Sequence, residues 1–417
     1  MRRNSFLGEA LSQLSARPRA WRATKDTRSL SDLADALLST AGEASGYSLA
    51  TTLLETYAKA SEGEKLAFFE HLNDALEIDA TRVSELAAAY AKSPSTQLFK
   101  DLSEAAEPRR QELLRRLNQP EGATERLVAM RADLLHFRKA QPTLARTDHD
   151  FRHLLRSWFN RGFLSVRPIT WDSPARILDK IVAYEAVHAI EDLDDLRRRI
   201  EPEDRRCFAF FHPSMPEEPL IFVEVALTLE VSGSIDHLLR LDRTPKDPAT
   251  ATHAVFYSIS NCQEGLAGIS FGNLLIKQVV YEIAMELPGV TTFATLSPIP
   301  GLRAWMKDGG HEAETPEDFR TLAARYLTSA KQPNGQPLDP VARFHLGNGA
   351  ELHNIHAAAD GSAKGRAQSG GAMVNYLYDL EKTERQHEAF AVHGKVATSR
   401  AVQAMISPRR RREEKTA

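Results

Sequence analysis

The stretch His253-Ala-Val-Phe-Tyr-Ser-Ile-Ser260, followed by Gln263-Glu-Gly265-Leu-Ala-Gly268-Ile-Ser-Phe-Gly272, decides the fold of the second half of this chain. The first segment is rich in β-branched and aromatic residues and predicts a strand, and the glycines of the second predict a turn. A helix is predicted next by apolar residues at three- and four-residue spacing, which are Leu275, Ile276, Val279, Val280, Ile283 and Leu287. Residues 290–296 then predict a second strand, which leads into Ser297-Pro-Ile-Pro300.

A strand, a glycine-containing turn and a helix N-terminus together favour an anion-binding site. Glycine lets the backbone approach a ligand closely, and the free N–H groups and the helix dipole favour phosphate oxygens. The glycine spacing does not fit a dinucleotide-binding fingerprint, and no Gly-Lys-Ser/Thr follows as in a P-loop. A tight turn with close helix–sheet packing explains the same glycines, so both interpretations stay open. The order of elements resembles the acyl-CoA loop of the GNAT-type N-acetyltransferase fold, with looser glycine spacing.

The rest of the chain predicts an α+β protein with two domains. A length of 417 residues exceeds what one hydrophobic core usually serves. Residues 1–160 hold few of the 21 prolines and show successive amphipathic helices, which predicts a helical bundle; Ser29 or Ser31 could cap one of them. Residues 161–417 mix strand-length runs, such as 207–212 and 220–228, with helical patterns, which predicts an α/β domain.

Composition limits the cellular setting and the partners. The net charge of −3 gives no reason to expect nucleic acid or a membrane surface as a partner, and no apolar run approaches the ~20 residues of a membrane span. Only Cys207 and Cys262 are present, so no disulfide framework or metal knuckle is expected. Residues 1–28 are rich in Arg and Ser, but Leu7, Leu11 and Leu14 fit an ordinary first helix. We therefore expect a cytoplasmic protein.

Several side chains are candidates for chemistry, each with a structural alternative. Ser297 precedes a proline, which restricts it to extended geometry in a stiff turn at a strand end. His345 alternates with Arg343 between Phe344 and Leu346, which predicts a strand, and histidine titrates near physiological pH. A lone serine or histidine is often only structural. Tyr376 and Tyr378 follow Asn375 in a late polar–aromatic cluster, and His353 and His356 lack the partners of a metal site.

Ten short motifs occur in a fixed order between about residue 150 and residue 382. The motifs are Gly162-Phe-Leu164, Ile169-Thr-Trp171, Tyr184-Glu-Ala-Val-His188, Met215-Pro-Glu-Glu-Pro-Leu220, Val225-Ala-Leu-Thr228, Phe256-Tyr-Ser-Ile-Ser260, Gly272-Asn-Leu-Leu-Ile-Lys277, Leu296-Ser-Pro-Ile-Pro-Gly301, Phe344-His-Leu-Gly-Asn-Gly-Ala350 and Asn375-Tyr376. Together these motifs resemble the malonyl-CoA decarboxylase family, of the bacterial type.

The resemblance implies a lyase that converts malonyl-CoA to acetyl-CoA and CO2, with no metal or organic cofactor. It implies that Ser297, His345 and Tyr378 are catalytic, and that the N-terminal helices form a homo-oligomer, a dimer or tetramer. The implied CoA-binding residues are Ala267, Gly268, Ile269, Ser270, Phe271, Gly272 and Asn273. Ser270 stands where animal members carry a glutamate. Two other functions stay open, an acyltransferase on the same fold and a CoA-binding scaffold without activity.

Overall fold

The computed structural model describes residues 27–269 and 274–406, and the chain divides into two compact units between Pro120 and Glu121. The described part of the first unit consists of α1 (Leu30–Ser39), α2 (Glu43–Lys59), α3 (Glu62–Asp74), α4 (Ala80–Lys92), α5 (Thr96–Ala105) and α6 (Arg109–Leu117). Ser29 and Ser61 begin α1 and α3 with capping boxes, in which each serine and the acid three residues later satisfy free N–H groups reciprocally. Leucines at helical spacing, such as Leu33 and Leu37, are buried.

The second unit combines helices with one mixed sheet. Its described helices are α7 (Ala123–Phe137), α8 (Ala145–Trp158), α9 (Ala175–Tyr184), α10 (Leu193–Ile200), α11 (Ile235–Leu238), α12 (Leu274–Glu286), α13 (Leu302–Asp308), α14 (Pro316–Ser329), α15 (Pro340–Gly347), α16 (Ala363–Ser369), α17 (Thr383–His393) and α18 (Arg400–Ile406). Its strands are β1 (Ser165–Pro168), β2 (Arg205–Phe211), β3 (Ile221–Thr228), β4 (His253–Asn261), β5 (Thr292–Thr295), β6 (Ser297–Pro298), β7 (Glu351–His356) and β8 (Met373–Tyr378).

The strands lie in the order β1-β2-β3-β4-β5-β8-β6, and β7 also pairs with β8. The pair β4–β5 is parallel, whereas the other strand pairs of this sheet are antiparallel. A parallel pair needs a crossover, and here the turn after β4 and helix α12 provide it. The central strands β2, β3 and β4 are almost entirely buried, which agrees with their dense content of Phe, Val and Ala.

Strands β4 and β5 separate next to Ser297, one of the predicted catalytic residues. Their pairing ends at Phe256 and Thr295, and Leu296 then donates its N–H to the Phe256 carbonyl at 2.9 Å. Beyond this point β4 continues along β3, while Ser297 pairs with Val374 of β8. The two parallel strands therefore diverge, and Ser297 lies at the point of divergence.

The predicted fold class is confirmed: a helical N-terminal region precedes a mixed-sheet α+β region, and the expected strand–turn–helix–strand order runs from β4 to β5. Ser29, one of the two predicted caps, begins α1. The predicted domain boundary between residues 160 and 161 stays a prediction. The two compact units of the structure divide between residues 120 and 121. The predicted first helix around Leu7 lies outside the described residues. Among the described helices, none is long and apolar enough to cross a membrane.

Candidate active site

Ser297 is held in a stiff segment, as the prolines after it predict. It is buried in β6, and its hydroxyl donates a hydrogen bond to Thr295 Oγ1 at 2.9 Å. Thr295 and Ser297 are two residues apart along extended chain, so their side chains emerge on the same face. The Ser297 hydroxyl also lies 3.2 Å from His345 Nε2. The structure thus brings together the predicted serine and histidine, which are 48 positions apart in the sequence.

The prediction that His345 lies in a strand is wrong, because it lies in helix α15. Asp339 caps this helix by accepting the Ala342 N–H at 2.8 Å, and Pro340 occupies the first turn, where its missing N–H costs nothing. These two start signals outweigh the short alternation around Phe344. Since α15 presents His345 to the sheet, the imidazole is buried and stacks on the Tyr376 ring, with centroids 4.6 Å apart.

Tyr378, the third predicted catalytic residue, lies on the other side of the imidazole. Its hydroxyl is 2.8 Å from His345 Nδ1. Burial raises the pKa of the Tyr378 phenol well above its ordinary value, so the phenol stays protonated and can donate to Nδ1. The imidazole then carries its proton on Nε2 and donates it to Ser297, whose own proton goes to Thr295. Tyr378, His345, Ser297 and Thr295 therefore form one directional chain of hydrogen bonds, named below the serine–histidine cluster.

Burial also sets the charge of the histidine. It lowers the pKa of His345 to about 3, because the charged imidazolium loses its hydration. The resting imidazole is neutral at physiological pH and has one donor and one acceptor nitrogen. In serine hydrolases a buried aspartate orients the histidine, whereas here an uncharged tyrosine does so. The arrangement can hold and move a proton, and among the described residues no carboxylate is hydrogen bonded to the His345 imidazole in the resting protein.

Sequence reasoning missed Asp339, which links the segment of Ser297 to the helix of His345. Asp339 is fully buried and caps the helix that carries His345. Burial raises the pKa of its carboxyl, and the N–H groups of Ala342, Val341 and Gly301 oppose that rise. Gly301 ends the motif that begins with Ser297, and a side chain there would lie 2.2 Å from the Tyr326 hydroxyl. The cap-plus-proline pair Asp339-Pro340 was the sequence signal that could have revealed this residue.

The glycine turn is described only in part. Ala267 and Gly268 are exposed and Ile269 is buried, whereas Ser270, Phe271, Gly272 and Asn273 lie outside the described residues. Gly268 has φ of +73°, a conformation that L side chains rarely adopt, so this glycine is required by the backbone. The preceding residues Glu264–Leu266 form one short 3-10 turn directly after β4. The turn thus follows β4, the strand that diverges from β5 next to Ser297.

The structure also bears on the two late histidines. Among the described residues, no group of three His, Cys, Asp or Glu side chains could hold a metal ion. His356 Nε2 lies 2.5 Å from Asn375 Oδ1, and the amide of Asn375 donates to the carbonyls of Ser232 and Thr295. Asn375 therefore joins β7, β8 and β5 beside the serine–histidine cluster by hydrogen bonds.

Comparison with known proteins gives consistent matches over most of the chain. A family model described as "Malonyl-CoA decarboxylase C-terminal domain" matches residues 162–318 and 305–416, and "Malonyl-CoA decarboxylase N-terminal domain" matches residues 76–159. The mitochondrial malonyl-CoA decarboxylase of Anser anser anser is 35% identical over 353 residues, which is 72% of this chain and 70% of that protein.

Two solved structures are similar over nearly their whole length. The malonyl-CoA decarboxylase of Rhodopseudomonas palustris has 48% identity and a TM-score of 0.85, and the match covers 90% of this chain and 98% of that one. The malonyl-CoA decarboxylase of Agrobacterium vitis has 45% identity and a TM-score of 0.85, with 91% and 99% covered.

Proposed function

We propose, starting from the fact that this chain belongs to the malonyl-CoA decarboxylase family, that it converts malonyl-CoA to acetyl-CoA and CO2. The family consists of carboxy-lyases. The observation that carries the proposal is the directional hydrogen-bond chain from Tyr378 through His345 to Ser297. It holds a transferable proton at a buried position, and decarboxylation requires a proton donor of this kind.

The substrate itself can accept the electrons that the reaction releases. When the bond between the α-carbon and the carboxylate breaks, CO2 leaves and the electron pair moves onto the thioester oxygen as an enolate. No pyridoxal, thiamine or metal is needed as an electron sink, so we propose that the enzyme uses none. The protein has to hold the carboxylate out of the thioester plane and supply donors to the enolate oxygen, a contribution worth about 2.7–4 kcal/mol per donor.

In this mechanism His345 donates the proton. A malonyl carboxylate bound beside the imidazole favours its charged form, and His345 then takes one proton from solvent. After CO2 departs, the Nε2–H bond breaks and a C–H bond forms at the α-carbon, which leaves a neutral imidazole with its proton on Nδ1. Loss of that proton to solvent and uptake of another on Nε2 restore the resting tautomer. One proton is consumed per turnover, as the overall reaction requires. The buried environment that lowers the pKa of the free imidazole makes the imidazolium a ready donor.

Ser297 and Thr295 position the reacting carboxylate. The Ser297 hydroxyl can turn from Thr295 Oγ1 to the arriving carboxylate oxygen, because both are acceptors. The carboxylate would then receive hydrogen bonds from Ser297 and from the imidazole on one side. The thioester plane is fixed by the CoA chain, which we propose is bound at residues 267–273. A helix N-terminus has N–H groups without an intrahelical partner, and the start of α12 therefore suits the phosphates of CoA.

The proposal extends to the cellular location, assembly and partners of the enzyme. We propose a cytoplasmic homo-oligomer, a dimer or tetramer, assembled through the N-terminal helices, without nucleic-acid or membrane partners. The two bacterial structures cited above support the bacterial type. Ser270 replaces the glutamate of animal members, so no carboxylate at that position takes part.

Incubation with malonyl-CoA alone tests the function. Release of CO2 with equimolar acetyl-CoA is expected. An acyltransferase would release no CO2 and would form free CoA only after an amine or hydroxyl acceptor was added, and an inactive scaffold would bind CoA and release nothing. Either of these two results would contradict the proposed function.

A further inference from the structure

The glycine turn is held by an arginine that lies more than 130 residues earlier in the chain. Arg131 of α7 is almost fully buried, with 1% of its surface exposed. Its Nη1 donates hydrogen bonds to the carbonyl oxygens of Gly265 at 2.6 Å and of Ala267 at 3.0 Å. Its Nε donates to Asp148 Oδ1 of α8 at 2.8 Å. The guanidinium therefore connects two helices to the turn.

Burial of the Arg131 guanidinium costs free energy that side-chain packing alone does not offset. Burying a charge is unfavourable unless it is paired and its remaining donors are bonded. Burial lowers the pKa of Arg131, whereas the neighbouring Asp148 carboxylate opposes that shift. Asp148 supplies the counter-charge, and the carbonyls of Gly265 and Ala267 accept hydrogen bonds from Nη1 on the other side.

The turn also contacts the same helix through its backbone. A side chain at Gly265 would lie 1.8 Å from the Val128 carbonyl oxygen of α7, so this position accepts only glycine. Two carbonyls and one glycine of the turn are thus fixed against α7. Gly268 follows immediately, in its positive-φ conformation.

We propose that Arg131 is a positioning residue that aims the N–H of Gly268 at an anionic group of CoA. The C=O and N–H of a trans peptide point in opposite directions. Because Arg131 holds the Ala267 carbonyl, the Gly268 N–H of the same peptide faces away from the guanidinium, on the exposed side of the turn. The cation also polarises this peptide, which strengthens its N–H as a donor.

Other amides of the turn are already engaged. The N–H groups of Leu266, Ala267 and Ile269 donate within the turn, to the carbonyls of Gln263, Glu264 and Leu266. Within the described residues, no backbone acceptor is bonded to the N–H of Gly268. Among the amides of residues 266–269, the Gly268 N–H is therefore the donor left free on the exposed side of the turn, and a phosphate of the CoA pyrophosphate is an acceptor of matching charge. This inference rests on the proposed function, since it takes the turn to be the CoA site.

Substitution of Arg131 should separate binding from chemistry. Arg131→Met keeps an unbranched apolar stem and removes the donors, while Asp148 keeps Arg138 as a counter-charge. The dissociation constant for CoA, measured by calorimetry, should rise about tenfold, and KM for malonyl-CoA should rise in step. The value of kcat should change by less than about twofold, because the serine–histidine cluster is untouched.

Arg138 offers a matched control. It also pairs with Asp148, but none of its bonds among the described residues reaches the turn. Arg138→Met should therefore leave the CoA dissociation constant and KM unchanged, even though it removes one partner of the same carboxylate. Equal weakening by both variants, or unchanged CoA affinity in Arg131→Met, would overturn the inference.

Two further measurements keep the test decisive. If Arg131→Met does not fold, Arg131→Lys, which keeps the charge but not both carbonyl contacts, should show the same KM increase with partial rescue of stability.

Hydrogen exchange of the Gly268 amide in the wild-type protein should slow when CoA is added; an unchanged rate would refute the proposed donor. A wild-type protein that binds CoA but does not decarboxylate malonyl-CoA would refute the function and leave this inference supported by its CoA affinity.

Discussion

Two buried polar clusters lie in the same sheet, and they are built in opposite ways. In the serine–histidine cluster, the side chains of Thr295, Ser297, His345 and Tyr378 are hydrogen bonded to one another. The second cluster, named here the Glu224 cluster, lies across β3 and β4 and consists of Glu224, Tyr257, His188 and Arg199. Within the described residues, both carboxyl oxygens of Glu224, the Tyr257 hydroxyl and His188 Nε2 have no hydrogen-bond partner.

Burial acts on one titratable side chain in each cluster, His345 and Glu224, and leaves that side chain uncharged by a different route. It lowers the pKa of His345 to about 3 and raises the pKa of Glu224 to about 8, so each group is mainly in its neutral form at pH 7. Arg199 Nη1 lies 3.5 Å from Glu224 Oε2, too far for a strong hydrogen bond. The first cluster therefore keeps a proton ready for transfer, whereas the second carries an unsatisfied carboxyl that reduces stability. Substitutions should accordingly damage activity in one and improve stability in the other.

The largest effect is expected at His345. His345→Ala removes the proposed proton donor, and general acid catalysis is typically worth about 10²–10⁴-fold, so kcat should fall by that factor. The CoA dissociation constant should stay the same, because the turn is untouched. Steady-state kinetics with malonyl-CoA and calorimetry with CoA check the two halves. Parallel loss of turnover and CoA affinity would show that His345 has only a structural role.

Tyr378→Phe should have the next largest effect. It removes the donor to His345 Nδ1, so the imidazole is no longer held in the tautomer that carries its proton on Nε2. We expect kcat to fall about tenfold or more, with KM little changed. Because a buried acceptor is left unsatisfied, the free energy of unfolding should fall by about 1–3 kcal/mol. Tyr376→Phe is the control, since its hydroxyl has no hydrogen-bond partner among the described residues, and full activity in Tyr378→Phe would contradict the proposed chain.

Substitutions of Asp339 test whether the cap of α15 supports both the stability of the protein and the activity of the serine–histidine cluster. Asp339→Ala removes the cap of α15, which should cost about 0.5–2 kcal/mol of stability and lower kcat several-fold. Asp339→Asn keeps a capping oxygen, so it should recover most of the stability. Thermal unfolding and kcat, measured on both variants, check this. A stability loss in Asp339→Asn equal to that in Asp339→Ala would contradict the capping role.

The smallest effect on activity, and a gain in stability, is expected at Glu224. Its pKa in the folded protein, about 8, lies above the ordinary value of 4.5, so the native state binds more protons between these pH values. The stability associated with this group is therefore complete below pH 4.5 and is lost as the pH rises through 8. Glu224→Gln removes this dependence, so its melting temperature should exceed that of the wild type more at pH 8 than at pH 5.5. Equal differences at both pH values would contradict the assignment, and kcat should not change.

The elements that could be predicted from sequence are those set by local patterns. The strands β2, β3 and β4 and the helix α12 were predicted to within a few residues, because side-chain periodicity is a property of each segment alone. His345 was misassigned for the same reason. Four residues of alternation around Phe344 were given more weight than the cap Asp339 and the proline after it, which together begin α15.

The sequence by itself determined the fold class and the family, since these depend on composition, periodicity and ordered motifs, and its resemblance to the family made Ser297, His345 and Tyr378 the catalytic candidates. Only the tertiary structure decided what these residues do to one another. Ser297 and His345 are 48 positions apart, and Arg131 contacts the carbonyl of a residue 136 positions away. Contacts at such separations form only when the sheet and helices pack, so no local pattern records them. The directional proton chain, the role of Asp339 and the orientation of the glycine turn all arise at that level.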